Sequence, residues 1–202
     1  MKVVLLRHGE TEENFLGIIQ GHSRGRLSAR GREQAKLAAK RLSQERFDVL
    51  FSSDLVRAVD TLKAVMIYHA HVPVFFCAEL RERCLGIYEG RPREDLFRAQ
   101  RENGVCLLEY RPEGGESLLD LKTRTDQFLK RLLENYQGKT VLLCTHGGPI
   151  LTLLATVLEF PLEEFIEHEI ENASISTVEL DDKGKVLQCT INSVLHLTKV
   201  GA

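Results

Sequence analysis

Residues 2–14 read KVVLLRHGETEEN, an apolar run from Val3 to Leu6 that passes at once into Arg7, His8, Gly9, Glu10 and Thr11, with Asn14 three residues on. A short run rich in β-branched residues and leucine, closed by a glycine, predicts a strand buried on both faces, the habit of a central strand in a parallel sheet. In open α/β sheets ligands bind beyond the carboxyl ends of the strands. This strand delivers a planar fork of donors, an imidazole and a glycine that admits close backbone approach to that place within three residues, a set suited to a phosphate. A strand that merely ends in a polar turn would look the same locally, so the rest of the chain has to decide.

Working outward, the next strongest strand is Lys139 to Cys144 (KTVLLC), and it too runs into a histidine and glycines: Thr145, His146, Gly147, Gly148, Pro149. Proline is tolerated in a first helical turn, so a helix is expected from there to about Leu158, with its N-terminal amides facing whatever His146 faces. Asp48 to Phe51 predicts a further buried strand, followed through Ser52, Ser53 and Asp54 by a capped helix over 54–69 that places Arg57 in its first turn. Ser28 is the expected N-cap of a helix over 29–45, 73–77 (PVFFC) a strand, and 93–103 and 117–136 helices. Residues 15–27 and 79–92 read as irregular, 161–169 as a short helix, and 173–180 with 186–192 as a hairpin turning at DDKGK. Buried strands alternating with amphipathic helices make an α/β layered fold with a mainly parallel sheet and one antiparallel edge strand.

The 202 residues suit a single domain over 1–202, and 43% hydrophobic with 28% charged residues is an ordinary globular composition. A net charge of -2 supplies no global basic field, which argues against nucleic acid and anionic membrane as partners. Any anion affinity must be local. Five cysteines, with no CxxC pair, fit a reducing compartment, and the N-terminal apolar run is too short for a signal peptide or a membrane span, so a cytoplasmic location is expected. Edge-strand pairing offers a route to a homodimer.

Arg7 with His8, Arg57, and His146 with Gly147 thus converge on one sheet edge. Two arginines and two histidines there form a cationic pocket whose natural guest is a phosphoryl group, and an imidazole can attack phosphorus. The leaving oxygen needs a proton donor, and Glu82, in the irregular LRERCLG, is the foremost candidate beside Glu79, Glu89 and Glu116. No HExxH, EF-hand, aspartate cluster or Walker A loop occurs, so neither a metal nor a cofactor is expected. His22, in the loop over the strand end, is a further candidate for substrate contact.

The motifs LRHGET with Asn14, SSDLVRAVDT, ELRERCLGIYEG, PEGGES and THGGPI occur in the order seen in the histidine phosphatase superfamily, and together they resemble its phosphoglycerate mutase-like branch over roughly 3–180. The resemblance implies a three-layer α/β/α sandwich. It implies that His8 is the phosphorylated nucleophile, that Arg7, Arg57 and His146 bind the transferring phosphoryl group, and that Glu82 serves as acid and then as base. It further implies that Asn14, Gln20, Gly21, Arg83 and the Gly147 amide line the substrate site. Cofactor-dependent mutases of the family carry a long basic insertion after the glutamate segment, whereas about twenty residues separate Gly90 from PEGGES here. That shortening resembles the phosphatase members, so water should complete the reaction on a small phosphorylated metabolite. Leu85 stands where many relatives have an aromatic residue. A phosphoglycerate mutase, or a domain that binds a phospholigand without turnover, are the other expectations.

Overall fold

A computed structural model describes residues 1–165 and 168–198. The sheet has six strands in the order β3-β2-β4-β1-β5-β6: β1 Lys2–Arg7, β2 Val49–Ser52, β3 Val74–Phe76, β4 Thr140–Thr145, β5 Ile175–Leu180 and β6 Val186–Ser193. Strands β1 to β4 run parallel to one another, and β5 is antiparallel to both β1 and β6. The antiparallel strand, expected at the edge, therefore lies inside the sheet. A hairpin adds two strands at once, so β5 lies inside and β6 takes the rim.

Strand alternation builds the layers. Val3 and Leu5 of β1, with Val49, Phe51, Val141 and Leu143, pack beneath α5 (Leu118–Asn135) and α6 (Gly147–Val157). Val4 and Leu6, with Leu50, Leu142 and Cys144, face α2 (Ala29–Leu42) and α3 (Val56–Met66) on the other side. Residues i and i+2 of a strand share a face, so a run of four apolar residues is what a strand sandwiched between two helical layers requires. The result is an α/β fold with helices on both faces of a mostly parallel sheet.

The helical readings hold at α4 (Arg93–Asn103), at α5, where Ser117 accepts the Asp120 N–H, and at α2, where the Ser28 hydroxyl accepts the Gly31 N–H at 2.9 Å. Other details differ. Helix α3 begins at Val56 without a side-chain cap, because its N-cap is Leu55, whose side chain has no acceptor, while Asp54 accepts from Arg81 at 2.6 and 2.5 Å. Glu12–Phe15 forms a single helical turn, α1, inside what reads as irregular chain, held by the reciprocal pair Asn14 N to Thr11 Oγ1 and Thr11 N to Asn14 Oδ1. Four residues cannot show a period. The short helix expected at 161–169 has one described turn, α7 (Leu162–Phe165); residues 166 and 167 lie outside the described residues.

Helix α2 crosses the end of β1 at backbone contact. A Cβ built on Gly31 would lie 1.9 Å from the Glu10 carbonyl oxygen, and one on Gly9 would lie 2.4 Å from the Gly31 carbonyl oxygen. Gly31→Ala should therefore force the RHG turn away from α2 and destabilise the protein by about 1–3 kcal/mol. A lower urea midpoint at unchanged m-value would show it; an unchanged midpoint would mean the contact yields freely.

Candidate active site

His8 follows β1 and is 3% exposed. Its Nδ1 lies 2.7 Å from the Gly9 carbonyl oxygen. A carbonyl can only accept, so Nδ1 carries the proton and Nε2 keeps a free lone pair. Burial, then Arg57 and Arg7, hold the His8 pKa well below the usual 6.5, against the opposing pull of the Gly9 bond. The imidazole is therefore neutral and nucleophilic at physiological pH. The Gly9 N–H donates to Thr61 Oγ1 at 3.0 Å, and Thr61 donates to the Arg57 carbonyl at 2.8 Å, which ties the turn to α3.

Arg57, in the first turn of α3, is 1% exposed, and its guanidinium donates to the carbonyls of Gly21 at 2.7 Å and Ser23 at 3.3 Å. Burial lowers its pKa to about 10; Glu82 opposes that shift and Arg7 adds to it. Arg7, at the end of β1, donates to the Ile170 carbonyl and is likewise lowered by burial, partly offset by Glu82. His146, fully buried after β4, stands 5.0 Å from His8 between ring centroids and is held neutral by burial, with Arg57, His8 and Arg7 adding. Three buried nitrogens here, Arg7 Nε, Arg57 Nε and His146 Nδ1, have no hydrogen-bond partner among the described residues. Buried polar groups are nearly always satisfied, so three in one place, from three separate elements, mark a site built for an anion.

Glu82 supplies the single carboxylate among the residues lining the cleft, which has a volume of about 230 Å³ and is also walled by Arg7, His8, Arg57 and Arg93. Its oxygens accept from the Arg83 N–H at 2.8 Å and, at the start of α6, from the Gly148 N–H at 3.3 Å. A Cβ on Gly148 would come within 2.3 Å of that carboxylate, so the glycine makes room for it. The competing acids are engaged elsewhere. Glu116 pairs with Arg124 at 2.9 Å and accepts the Cys84 N–H, Glu89 accepts the N–H groups of His22 and Leu85, and Glu79 pairs with Arg131. Among the described residues, no group of three or more His, Cys, Asp or Glu side chains is placed to hold a metal ion.

The chain from Val3 to Ser193 matches the family model described as histidine phosphatase superfamily (branch 1). This chain belongs to that superfamily. Phosphoserine phosphatase 1 of Hydrogenobacter thermophilus is 31% identical, over 98% of this chain and 94% of that protein. A 2,3-bisphosphoglycerate-dependent phosphoglycerate mutase of Methanococcus vannielii is 32% identical over 90% and 92%. The crystal structure of the alpha-ribazole phosphatase from Shigella flexneri superposes with a TM-score of 0.85 at 29% identity, covering 96% of each chain.

Within this histidine phosphatase, Asn14, Gln20 and Gly21 line the cleft with His8 and the two arginines. Gly147 opens α6, where a Cβ would lie 3.8 Å from Arg7 Nε. Arg83 is placed differently from the expectation. Its guanidinium donates away from the cleft to the carbonyls of Glu116 and Tyr110, both at 2.7 Å, and it is 8% exposed. His22 faces the Glu82 main chain instead of a substrate: its Nε2 donates to the Glu82 carbonyl at 2.7 Å, which also accepts from Arg124 at 2.8 Å. Residues that sequence reasoning missed include Arg93, Leu96 and Phe97 on α4 and Ile18 in the loop, all lining the cleft. The Arg93 N–H bonds to Gly17 O, and the Ile19 N–H to Arg91 O, so two distant segments are stitched together over the site. No local signal in either segment announces that pairing.

Proposed function

We propose that this histidine phosphatase is a metal-independent phosphomonoesterase, a single catalytic domain that turns over a small phosphorylated metabolite through a phosphohistidine on His8. The observation that carries the reading is the trio of buried nitrogens without a partner among the described residues, grouped with the free Nε2 lone pair of His8. Phosphoryl oxygens accept from Arg7, Arg57 and His146 while Nε2 attacks phosphorus. The N–P bond forms, the P–O bond to the leaving group breaks, and Glu82 gives its proton to the departing oxygen. Water then attacks the phosphohistidine, Glu82 takes its proton, and inorganic phosphate leaves with His8 restored. A phosphatase ending is favoured over a mutase one because the chain between Gly90 and Pro112 is occupied mainly by the single helix α4 rather than a long basic insertion.

The modest cleft suits a small leaving group. Arg93 makes no side-chain hydrogen bond or ion pair among the described residues, and it sits at the first position of α4, where a cation is electrostatically disfavoured. Both features support a substrate with a second anionic group, such as the carboxylate of phosphoserine or of a phosphoglycerate. The test is phosphate release from sugar phosphates, phosphoglycerates, phosphoamino acids and nucleotides with EDTA present. Isomerisation of a phosphoglycerate outrunning phosphate release would replace the phosphatase by the mutase, and binding without turnover would leave a phospholigand-binding domain. Arg93→Gln is expected to lower kcat/KM for carboxylated substrates about 10–100-fold, the worth of one hydrogen bond to a charged group, and to leave p-nitrophenyl phosphate hydrolysis unchanged. Equal losses on both would show that Arg93 does not read the leaving group.

A further inference from the structure

Ser53 is fully buried directly after β2. Its backbone N–H donates to the Cys144 carbonyl at 2.9 Å, which pins it beside the end of β4, two residues before His146. Its Oγ lies 2.8 Å from His146 Nε2 and 3.2 Å from the Leu55 backbone nitrogen. An amide N–H can only donate, so Leu55 occupies one lone pair of that oxygen. The hydroxyl then has its own proton to place, and among the described residues His146 Nε2 is the acceptor it reaches. The reverse arrangement, with Nε2–H donating to Oγ, would strand a buried hydroxyl proton with no acceptor among the described residues.

We propose that Ser53 is a positioning residue that fixes His146 as the Nδ1–H tautomer, so that this histidine offers the phosphoryl group a proton donor. The inference rests on the phosphoryl-transfer reading of the site. It assigns the paired imidazoles complementary tasks from one tautomer. In His8 the Gly9 carbonyl occupies the protonated Nδ1 and leaves the Nε2 lone pair free; in His146 the Ser53 hydroxyl occupies the Nε2 lone pair and leaves Nδ1–H without a partner among the described residues. With ring centroids 5.0 Å apart, the two could not usefully exchange roles, because each would lose the partner that defines it. A preorganised donor aimed at developing charge needs no reorientation during the reaction.

The full chain labelled with ¹⁵N-histidine reports the tautomer directly in long-range proton–nitrogen correlation spectra, with the His146 signals identified by their loss in His146→Gln. A bare Nε2 and a protonated Nδ1 are expected. Ser53→Ala should give a mixture of tautomers and lower kcat about 10-fold, short of the ~10²-fold cost of removing a preorganised donor outright, with KM little changed. Ser53→Thr, which keeps the hydroxyl, should restore both the spectrum and kcat. A proton on Nε2 in the unsubstituted protein, or an unchanged tautomer and kcat in Ser53→Ala, overturns the proposal. Should Ser53→Ala fail to fold, the spectrum of the unsubstituted protein still decides. Should no phosphomonoester be hydrolysed, the phosphatase reading falls while the tautomer is still determined.

Discussion

His8→Ala is expected to reduce phosphate release by about 10⁴-fold or more, as loss of a nucleophile does where the remaining groups act only through it. The buried donors persist in that variant, so a phosphoester should still bind. Acid-labile, base-stable phosphate should be trapped on the unsubstituted protein during turnover and be missing from His8→Ala; undiminished turnover in the variant would end the phosphohistidine reading. The pH dependence follows from the same side chain. Protonation of Nε2 destroys the nucleophile, and burial with Arg57 and Arg7 pushes that event well below pH 6.5, so kcat/KM should hold its value as the pH falls through 6.5. Stability carries the other half of the linkage. Unfolding returns His8 and His146 to ordinary pKa values, so below 6.5 the unfolded chain binds the extra protons. Stability is full above that pH and declines as the pH drops through it. A urea midpoint that rises from pH 7.5 to 5.5 would contradict this.

Glu82→Gln is the second large effect, and its size should depend on the leaving group. Glutamine is nearly isosteric, and its one amide oxygen can still accept from the Arg83 N–H, the shorter of the two bonds that Glu82 receives, so the fold should be little disturbed. For alkyl phosphates, whose departing alkoxide requires a proton, the loss should be about 10²–10⁴-fold. For p-nitrophenyl phosphate the leaving phenolate needs no proton, so the first step should survive while hydrolysis of the phosphohistidine slows for want of a base. A stopped-flow burst of nitrophenolate equal to the enzyme concentration, followed by a slow steady state, is the expected trace. A uniform loss across leaving groups with no burst would assign the acid and base to another residue.

How much of this was legible in the chain depended on how far each signal reached. Strands β1 and β4 could be read because four consecutive buried residues are a local pattern, and both histidines follow directly from those strands. Arg57 was legible through the helix that carries it. Glu82 could be nominated but not separated from Glu79, Glu89 and Glu116, since what distinguishes them is pairing with Arg131, His22 and Arg124 across the fold. Arg83 shows the converse: its neighbour enters the cleft, and one residue later the chain points the guanidinium at Tyr110 and Glu116 instead. Arg93 carries no signature, and Ser53 stands in SSDLVRAVDT with nothing local to tell its task, because what approaches each comes from a distant segment.

The place of β1 in the sheet also governs how the enzyme comes into being. Lys2 is registered against Thr140 on one side and Glu179 on the other, so the strand that leads into His8 has no sheet neighbour within the first hundred residues that follow it. During synthesis it must wait as an unpaired apolar segment until β4 has emerged, and it becomes enclosed only with β5. Contacts of such long sequence separation slow folding and prolong exposure to aggregation. They also make assembly all or nothing: a chain stopped before residue 172 leaves one edge of β1 open and lacks Asn172, whose amide donates to the His8 carbonyl at 3.2 Å.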